Sequence, residues 1–128
     1  MVLNHDCVRS LLLWLETNQS VGPTGKPDSV MMRKIYGQFP DFSPAELNLA
    51  ATYLVQKKLI SLRSGMTVEN AAPRAYVISG ITAAGYDYLA AVKDDSVWKK
   101  IKEKIGSTAL ASVPNVIAVA AEIFASTI

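Results

Sequence analysis

The tetrapeptide SPAE at residues 43–46 is the strongest local signal in the chain, because it fixes where a helix must begin. Its serine can cap the free N–H groups of a helix, its proline occupies the favoured first helical position, and its glutamate completes a capping box. The apolar residues that follow at helical spacing predict the buried stripe of this helix: Leu47, Ala51, Leu54 and Val55. The helix is expected to end near Lys58.

Beyond this helix the sequence changes from a helical to an extended pattern. The runs LISLRS at 59–64 and AYVIS at 75–79 are rich in strand-forming residues. A polar loop separates them, so the sequence predicts a two-stranded hairpin with a long tip.

Further helices are predicted on both sides of the hairpin. Residues 5–17 carry an amphipathic pattern behind a candidate cap, Asn4, and residues 28–37 predict a short helix. Thr82 can cap the helix that follows the hairpin, and Gly85 inside this helix indicates close backbone packing.

The order of these elements predicts a mainly α fold with a small β-hairpin. Three helices followed by a hairpin is the order of winged-helix domains, a helix-turn-helix variant whose third helix reads DNA in nucleic-acid-binding members. We expect residues 1–93 to form a winged-helix-like core. Residues 94–128 are expected to form a C-terminal helical extension that packs on the core or on a second subunit, within a single domain.

The segment KDDSVWKKIKEKIG at 93–106 concentrates charge around a tryptophan. As a helix it has one apolar face, two aspartates at its N-terminus and lysines toward its C-terminus, as the helix dipole favours. Trp98 is therefore expected to anchor this helix to the core. The solvent face carries the lysines that would contact phosphates if the protein bound DNA: Lys99, Lys100, Lys102 and Lys104.

Two long stretches resemble a bacterial and phage family known as a domain of unknown function. They are FSPAELNLAATYLVQKKLI at 42–60 and YVISGITAAGYDYLAAVKDDSVWKKIKEKIG at 76–106, and the first helix is similar as well. The signature of this family is LT..G..FL..I+DD.VW.K.KEK, where + is a basic residue. The chain matches this signature at Ile81, Thr82, Gly85, Tyr88, Leu89, Asp94, Asp95, Val97, Trp98, Lys100, Lys102, Glu103 and Lys104. The chain departs from the pattern of this family at Ala50, where members of the family often carry histidine. The resemblance implies a winged-helix-like fold and phage or prophage association, and it implies no known activity.

Composition narrows the class of protein further. A net charge of +2 is well below what phosphate-driven binding would require, and half of the residues are hydrophobic, enough for a core. A single cysteine, Cys7, and a single histidine, His5, cannot supply a tetrahedral metal site, so neither a metal nor a cofactor is expected. The sequence has no Gly-rich phosphate loop, no His–Glu zinc motif and no nucleophile elbow, so an enzyme is not expected. The N-terminus lacks a signal-peptide pattern and no run reaches ~18 apolar residues, so we expect a cytoplasmic protein without a membrane span.

The outer face of the third helix is the main candidate contact surface. It carries Asn48, Leu49, Thr52, Tyr53 and Gln56. Asn and Gln can read adenine, but the helix contains no arginine, and two of these residues are suited to packing against protein. Arg63 and Arg74 flank the hairpin tip, where they would either contact the DNA backbone or lie in solvent.

The last helix, from about Pro114, is apolar on most of its surface. Such a helix is normally buried, so a second copy of the chain is expected to cover part of it. The predicted oligomer contacts are Trp14, Val116, Val119, Ile123 and Phe124.

Together these features predict a non-enzymatic winged-helix interaction module, associated with phage or prophage, that binds an unidentified protein partner and itself. The alternative is a DNA-binding transcriptional regulator. It would contact phosphates through the lysine-rich helix at 93–106, called here the lysine helix, and through the hairpin, which is the wing of a winged-helix domain.

Overall fold

The protein is mainly helical with a small antiparallel sheet, which confirms the mainly α fold with a small β element. The computed structural model describes residues 3–106, 110 and 112–126. The helices are α1 (His5–Asn18), α2 (Met32–Ile35), α3 (Pro44–Gln56), α4 (Ala83–Val92), α5 (Asp95–Lys104) and α6 (Val113–Ser126), with 3-10 turns at Tyr36–Gln38 and Pro73–Ala75. The strands are β1 (Val30–Met31), β2 (Ile60–Leu62) and β3 (Val77–Ile81). Residues 1–2 of the predicted core and 107–109, 111 and 127–128 of the predicted extension lie outside the described residues.

Helix α3 begins where the capping box predicts. The Ser43 hydroxyl accepts the Glu46 N–H at 3.1 Å, and the Glu46 carboxylate accepts the Ser43 N–H at 3.0 Å. The helix ends at Gln56, two residues earlier than expected. The chain then turns through Lys58 in the left-handed conformation, with φ of 60°. The N–H groups of Lys58 and Leu59 donate to the carbonyls of Val55 and Leu54, which completes a Schellman motif.

The sheet has a third strand that the sequence did not reveal. Residues 28–37 were predicted as one helix, but Val30 and Met31 are extended and pair with Ile78 and Val77 of β3. Strand β3 therefore lies in the centre, in the order β1-β3-β2. The helical prediction was wrong here because β3 has a free edge, and pairing with it outweighs the helical preference of so short a segment.

Gly85 brings α4 against the turn after α3, as expected. A Cβ atom built on this glycine would lie 2.1 Å from the Leu59 carbonyl oxygen, closer than any real contact. Thr82 caps α4 by accepting the Gly85 N–H at 3.0 Å and also donates to the Lys58 carbonyl at 2.6 Å. The interior of the domain thus depends on a position where only glycine fits.

Helix α1 lies at the centre of the core. Asn4 caps it by accepting the Cys7 N–H at 3.1 Å, as predicted. Its apolar face is fully buried, and it packs against α3, α4 and β3.

The C-terminal helices pack on the same core. The Asp94 carboxylate caps α5 by accepting the N–H groups of Ser96 and Val97 at 2.9 and 3.0 Å. Helix α6 packs against α4 and α5. In the described part of the chain, no helix is long and apolar enough to cross a membrane.

Candidate partner-binding surface

Trp98 is a buried anchor of α5, in agreement with the sequence analysis. Only 3% of it is exposed, and its indole N–H donates to the Asp6 carboxylate at 2.8 Å. The Lys102 ammonium donates to the same carboxylate oxygen at 2.8 Å. The Arg9 guanidinium and the Lys102 ammonium lie 5.8 and 5.6 Å from the centre of the indole ring. Trp98 therefore joins α5 to α1.

Arg9 strengthens the same junction. Its guanidinium donates to the carbonyls of Val92 and Lys93 at 2.7 and 2.9 Å and to the Asp95 carboxylate at 2.6 Å. We refer to Asp6, Arg9, Trp98 and Lys102 as the α1–α5 clamp. Burial alone would raise the pKa of Asp6, but hydrogen bonds from Lys102 and Trp98 outweigh it and hold that pKa below its usual value.

The lysine helix is thus divided between structural and solvent-facing residues. Lys102 forms an ion pair with Asp6. Lys99, Lys100 and Lys104 are exposed and form no ion pair with any described residue. Helix α5 packs on α4 and α6, whereas α3 packs on α1, β2 and the 3-10 turn Pro73–Ala75. The lysines and the outer face of α3 are therefore carried by different parts of the fold.

Four of the five residues predicted on the outer face of α3 are at least partly exposed there. Asn48, Leu49 and Thr52 are half-buried and Gln56 is exposed. Tyr53 is the exception, because it is only 7% exposed and its ring lies nearly perpendicular to the His5 ring, with 6.0 Å between the ring centres. Predicting Tyr53 as an outward contact was wrong, since the helix turns this position toward α1.

Two shallow grooves border this part of α3, and a third shares lining residues with the first. The first is lined by Arg33, Tyr36, Pro44, Asn48 and Arg74 and has a volume of about 510 Å³. The second is lined by Ala45, Asn48, Leu49, Thr52 and Pro73, with about 420 Å³. The third is lined by Met31, Arg33, Arg74, Ala75, Tyr76 and Val77, with about 350 Å³. Asn48 belongs to the first two grooves, and Arg33 and Arg74 to the first and third, so we call the set the α3 groove surface.

Tyr36 and Asn48 form a fixed pair at the centre of this surface. The Tyr36 hydroxyl donates a hydrogen bond to the side-chain oxygen of Asn48. Burial raises the pKa of Tyr36, and the nearby Arg74 charge opposes this effect only in part. Tyr36 therefore keeps its proton at neutral pH and remains the donor of this bond.

Arg33 and Arg74 face the grooves without a carboxylate partner among the described residues. Arg33 makes one weak contact, from its guanidinium to the Met31 sulfur at 3.9 Å. Arg63, the other arginine predicted near the hairpin tip, is exposed and does not line any of these grooves. The fold therefore brings Arg74, but not Arg63, to the outer face of α3.

Sequence reasoning missed Arg33 and Tyr36 as members of this surface. Both follow β1, in the segment whose predicted helix begins too early. The basic pair Arg33–Lys34 was a usable signal, but it lies in a segment whose position relative to α3 depends on the pairing of β1 with β3.

The predicted oligomer contacts differ in how far they are exposed. Val116 and Ile123 are buried against their own chain, whereas Val119 and Trp14 are half-buried. The Trp14 and Phe39 rings pack edge to face, with 6.4 Å between the ring centres. Phe124 is 42% exposed and borders a shallow groove between α4 and α6 that has a volume of about 210 Å³.

The remaining reactive side chains are enclosed. Cys7 is fully buried, and burial raises its pKa to about 12, so its thiol is not ionised at neutral pH. Burial lowers the pKa of His5, which is therefore neutral at pH 7. Within the described residues, no three His, Cys, Asp or Glu side chains are placed so that they could hold a metal ion.

Comparison with known proteins identifies the family and nothing more specific. No curated protein and no solved structure matches the chain. Residues 2–111, which include the clamp residues and the whole α3 groove surface, match the family described as hypothetical protein DUF2513. The chain therefore belongs to DUF2513, a family defined by a domain of unknown function.

Proposed function

We propose that the protein is a non-enzymatic interaction module that binds a protein partner through the α3 groove surface. Residues 5–81 follow the order helix, strand, helix, helix, strand, strand, with β3 in the centre of the sheet. This order supports a winged-helix-like unit, in which the third helix is the usual contact element.

The composition of the α3 groove surface carries the proposal. Leu49, Ala45 and Pro73 give it apolar walls, while Arg33, Arg74 and Tyr36 stand beside them. Arginine and aromatic residues next to apolar area are enriched at the centres of protein interfaces. The grooves are shallow and connected, which suits a polypeptide segment better than a small molecule.

DNA binding is the second candidate, and the unpaired Arg33 and Arg74 favour it. Two features of α3 support a protein partner instead. An asparagine that reads adenine turns both its oxygen and its amide nitrogen toward the base, whereas the bond from the Tyr36 hydroxyl holds the Asn48 oxygen toward Tyr36. In addition, the α3 helix itself contains no arginine or lysine.

A binding experiment with two variants tests the proposed surface. Leu49→Arg should abolish retention of a partner from cells that express the protein, because a charge replaces an apolar wall. Lys100→Glu on α5 is the control and should retain the partner. Retention of the partner by Leu49→Arg would overturn the assignment of the surface.

A second measurement separates the two classes of partner. Fluorescence polarisation with genomic DNA fragments at physiological salt should give no better than the ~10⁻⁴–10⁻⁶ M of non-specific binding. Nanomolar, sequence-selective binding would establish the DNA-binding candidate and refute the protein-binding proposal.

The proposal includes self-association through the α4–α6 side of the molecule. Phe124 and Tyr86 are among the large hydrophobic side chains that remain exposed, and Phe124 borders the groove between α4 and α6. Light scattering should find a dimer that Phe124→Glu dissociates and Ala118→Glu, on the same helix, does not. A monomeric wild-type protein would refute this part of the proposal. A cytoplasmic location and an association with phage genomes complete the proposal, the latter on the resemblance alone.

A further inference from the structure

The centre of the α3 groove surface offers hydrogen-bond donors and few acceptors. Arg33 and Arg74 each line the first and third grooves, and their guanidinium groups carry hydrogen-bond donors and no acceptor. The Asn48 oxygen accepts a bond from the Tyr36 hydroxyl, while the Asn48 amide nitrogen donates to no described residue. A ligand that fits these groups must supply acceptor oxygens, and the two positive charges favour anionic ones.

The acidic residue of α3 does not compete for these donors. One oxygen of the Glu46 carboxylate accepts the Ser43 N–H at 3.0 Å, and the other accepts the Asn4 side-chain amide at 3.0 Å. These bonds lower the pKa of Glu46, so it stays ionised and committed to the start of the helix. No Asp or Glu lines any of the three grooves, within the described residues.

Apolar walls lie directly beside this cationic centre. Asn48 is shared between the arginine-lined groove and the groove formed by Leu49, Ala45 and Pro73. A bound segment could therefore place an acidic side chain between Arg33 and Arg74 and an apolar side chain on Leu49.

We propose that the α3 groove surface binds an acidic segment of the protein partner, with carboxylates held by Arg33 and Arg74 and an apolar side chain seated against Leu49 and Pro73. This inference rests on the proposed function and specifies the chemistry of its partner. Arginine is suited to the role because its planar guanidinium can hold both oxygens of a carboxylate.

The same arrangement disfavours nucleic acid as the occupant. Two arginines neutralise about two phosphates, whereas tight complexes with DNA involve roughly 6–10 such contacts. Leu49 and Pro73 would gain little from contact with a phosphate backbone, but they suit an apolar side chain of a peptide.

Fluorescence polarisation with defined probes tests the inference. The probes are a labelled dodecapeptide of Asp and Glu with two Leu residues, the same peptide with Asn and Gln in place of the acids, and a thymidine dodecanucleotide. We expect the acidic peptide to bind most tightly. Arg33→Gln and Arg74→Gln should each weaken its binding about tenfold or more, the effect of losing a hydrogen bond between charged groups.

Arg63→Gln is the matched control, because it makes the same chemical change outside the grooves. It should alter the affinity less than twofold, and circular dichroism should show all three variants folded. The inference is overturned if the acidic peptide does not bind, if the oligonucleotide binds more tightly, or if Arg63→Gln is as damaging as the groove variants. If Leu49→Arg loses the cellular partner while Arg33→Gln and Arg74→Gln retain it, the acidic-segment inference fails and the proposed function stands. If Leu49→Arg retains the partner, both fail.

Discussion

Replacing Trp98 by alanine should destabilise the whole domain. The side chain is 3% exposed and joins α5 to α1, so its removal leaves a cavity at that junction. Deleting a buried Trp or Phe side chain costs about 3–5 kcal/mol, a large share of the 5–15 kcal/mol by which domains of this size are stable. The lost hydrogen bond adds little, because the Asp6 side chain is 53% exposed and keeps its ion pair with Lys102.

Trp98→Phe separates the burial of the ring from the hydrogen bond. Phenylalanine keeps much of the apolar contact but cannot donate to Asp6, so it should cost about 1–2 kcal/mol, less than alanine. Lys99→Ala lies on the exposed face of the same helix and should stay within about 0.5 kcal/mol of the wild type.

Guanidinium denaturation followed by far-ultraviolet circular dichroism measures all three variants. The reasoning fails if Trp98→Ala unfolds within about 1 kcal/mol of the wild type, which would make Trp98 a surface residue in solution. It also fails if the phenylalanine variant is as unstable as the alanine variant, because the hydrogen bond and not the buried ring would then carry the effect.

Three further predictions concern single positions. Gly85→Ala should destabilise the protein by about 3 kcal/mol or more, because the added Cβ would collide with the Leu59 carbonyl. The control Gly37→Ala places a Cβ with nothing within 4 Å and should be nearly neutral, so equal melting temperatures of the two variants would contradict this prediction. Lys58→Gly should stabilise the protein by about 1 kcal/mol, since glycine adopts a φ of 60° without the strain of a side chain, and a lower melting temperature would refute it. The pKa of Asp6 is lowered on folding, so its stabilising contribution is present above the unfolded pKa of about 3.9 and is lost as the pH falls through the folded value. Asp6→Asn should therefore lose less stability than the wild type between about pH 5 and 2, and parallel acid profiles would contradict this.

The parts of the fold that the sequence predicted are those with local causes. Ser43 and Glu46 determine the start of α3 through bonds within one turn, and Thr82 does the same for α4. Gly85 was informative because an unfavourable helix residue implies a neighbour at close range. Each of these inferences needed only a few consecutive residues.

The predictions that were wrong concern residues whose structure depends on partners far away in the sequence. Val30 and Met31 become a strand only because β3 offers an unpaired edge nearly fifty residues later in the chain. Tyr53 faces inward because α1 lies beside it, which the spacing of apolar residues on α3 alone does not reveal.

The candidate site was only partly predictable for the same reason. Asn48 and Leu49 follow from the position of α3, but Arg33, Tyr36 and Arg74 come from segments before and after it. Their convergence requires the pairing of β1 with β3 and the 3-10 turn that precedes β3.

The α1–α5 clamp also determines the order in which contacts can form while the chain is being synthesised. The bond from Arg9 to Val92 spans 83 residues and the bond from Trp98 to Asp6 spans 92. At about 5–20 residues per second, a ribosome makes these partners roughly 4–20 seconds after it has made α1. During that interval α1 can associate with α3, but Asp6 and Arg9 have no partners from α5. The first helix to be synthesised is therefore among the last to complete its contacts, and a chain interrupted before residue 92 would leave the polar end of α1 open to solvent or to another molecule.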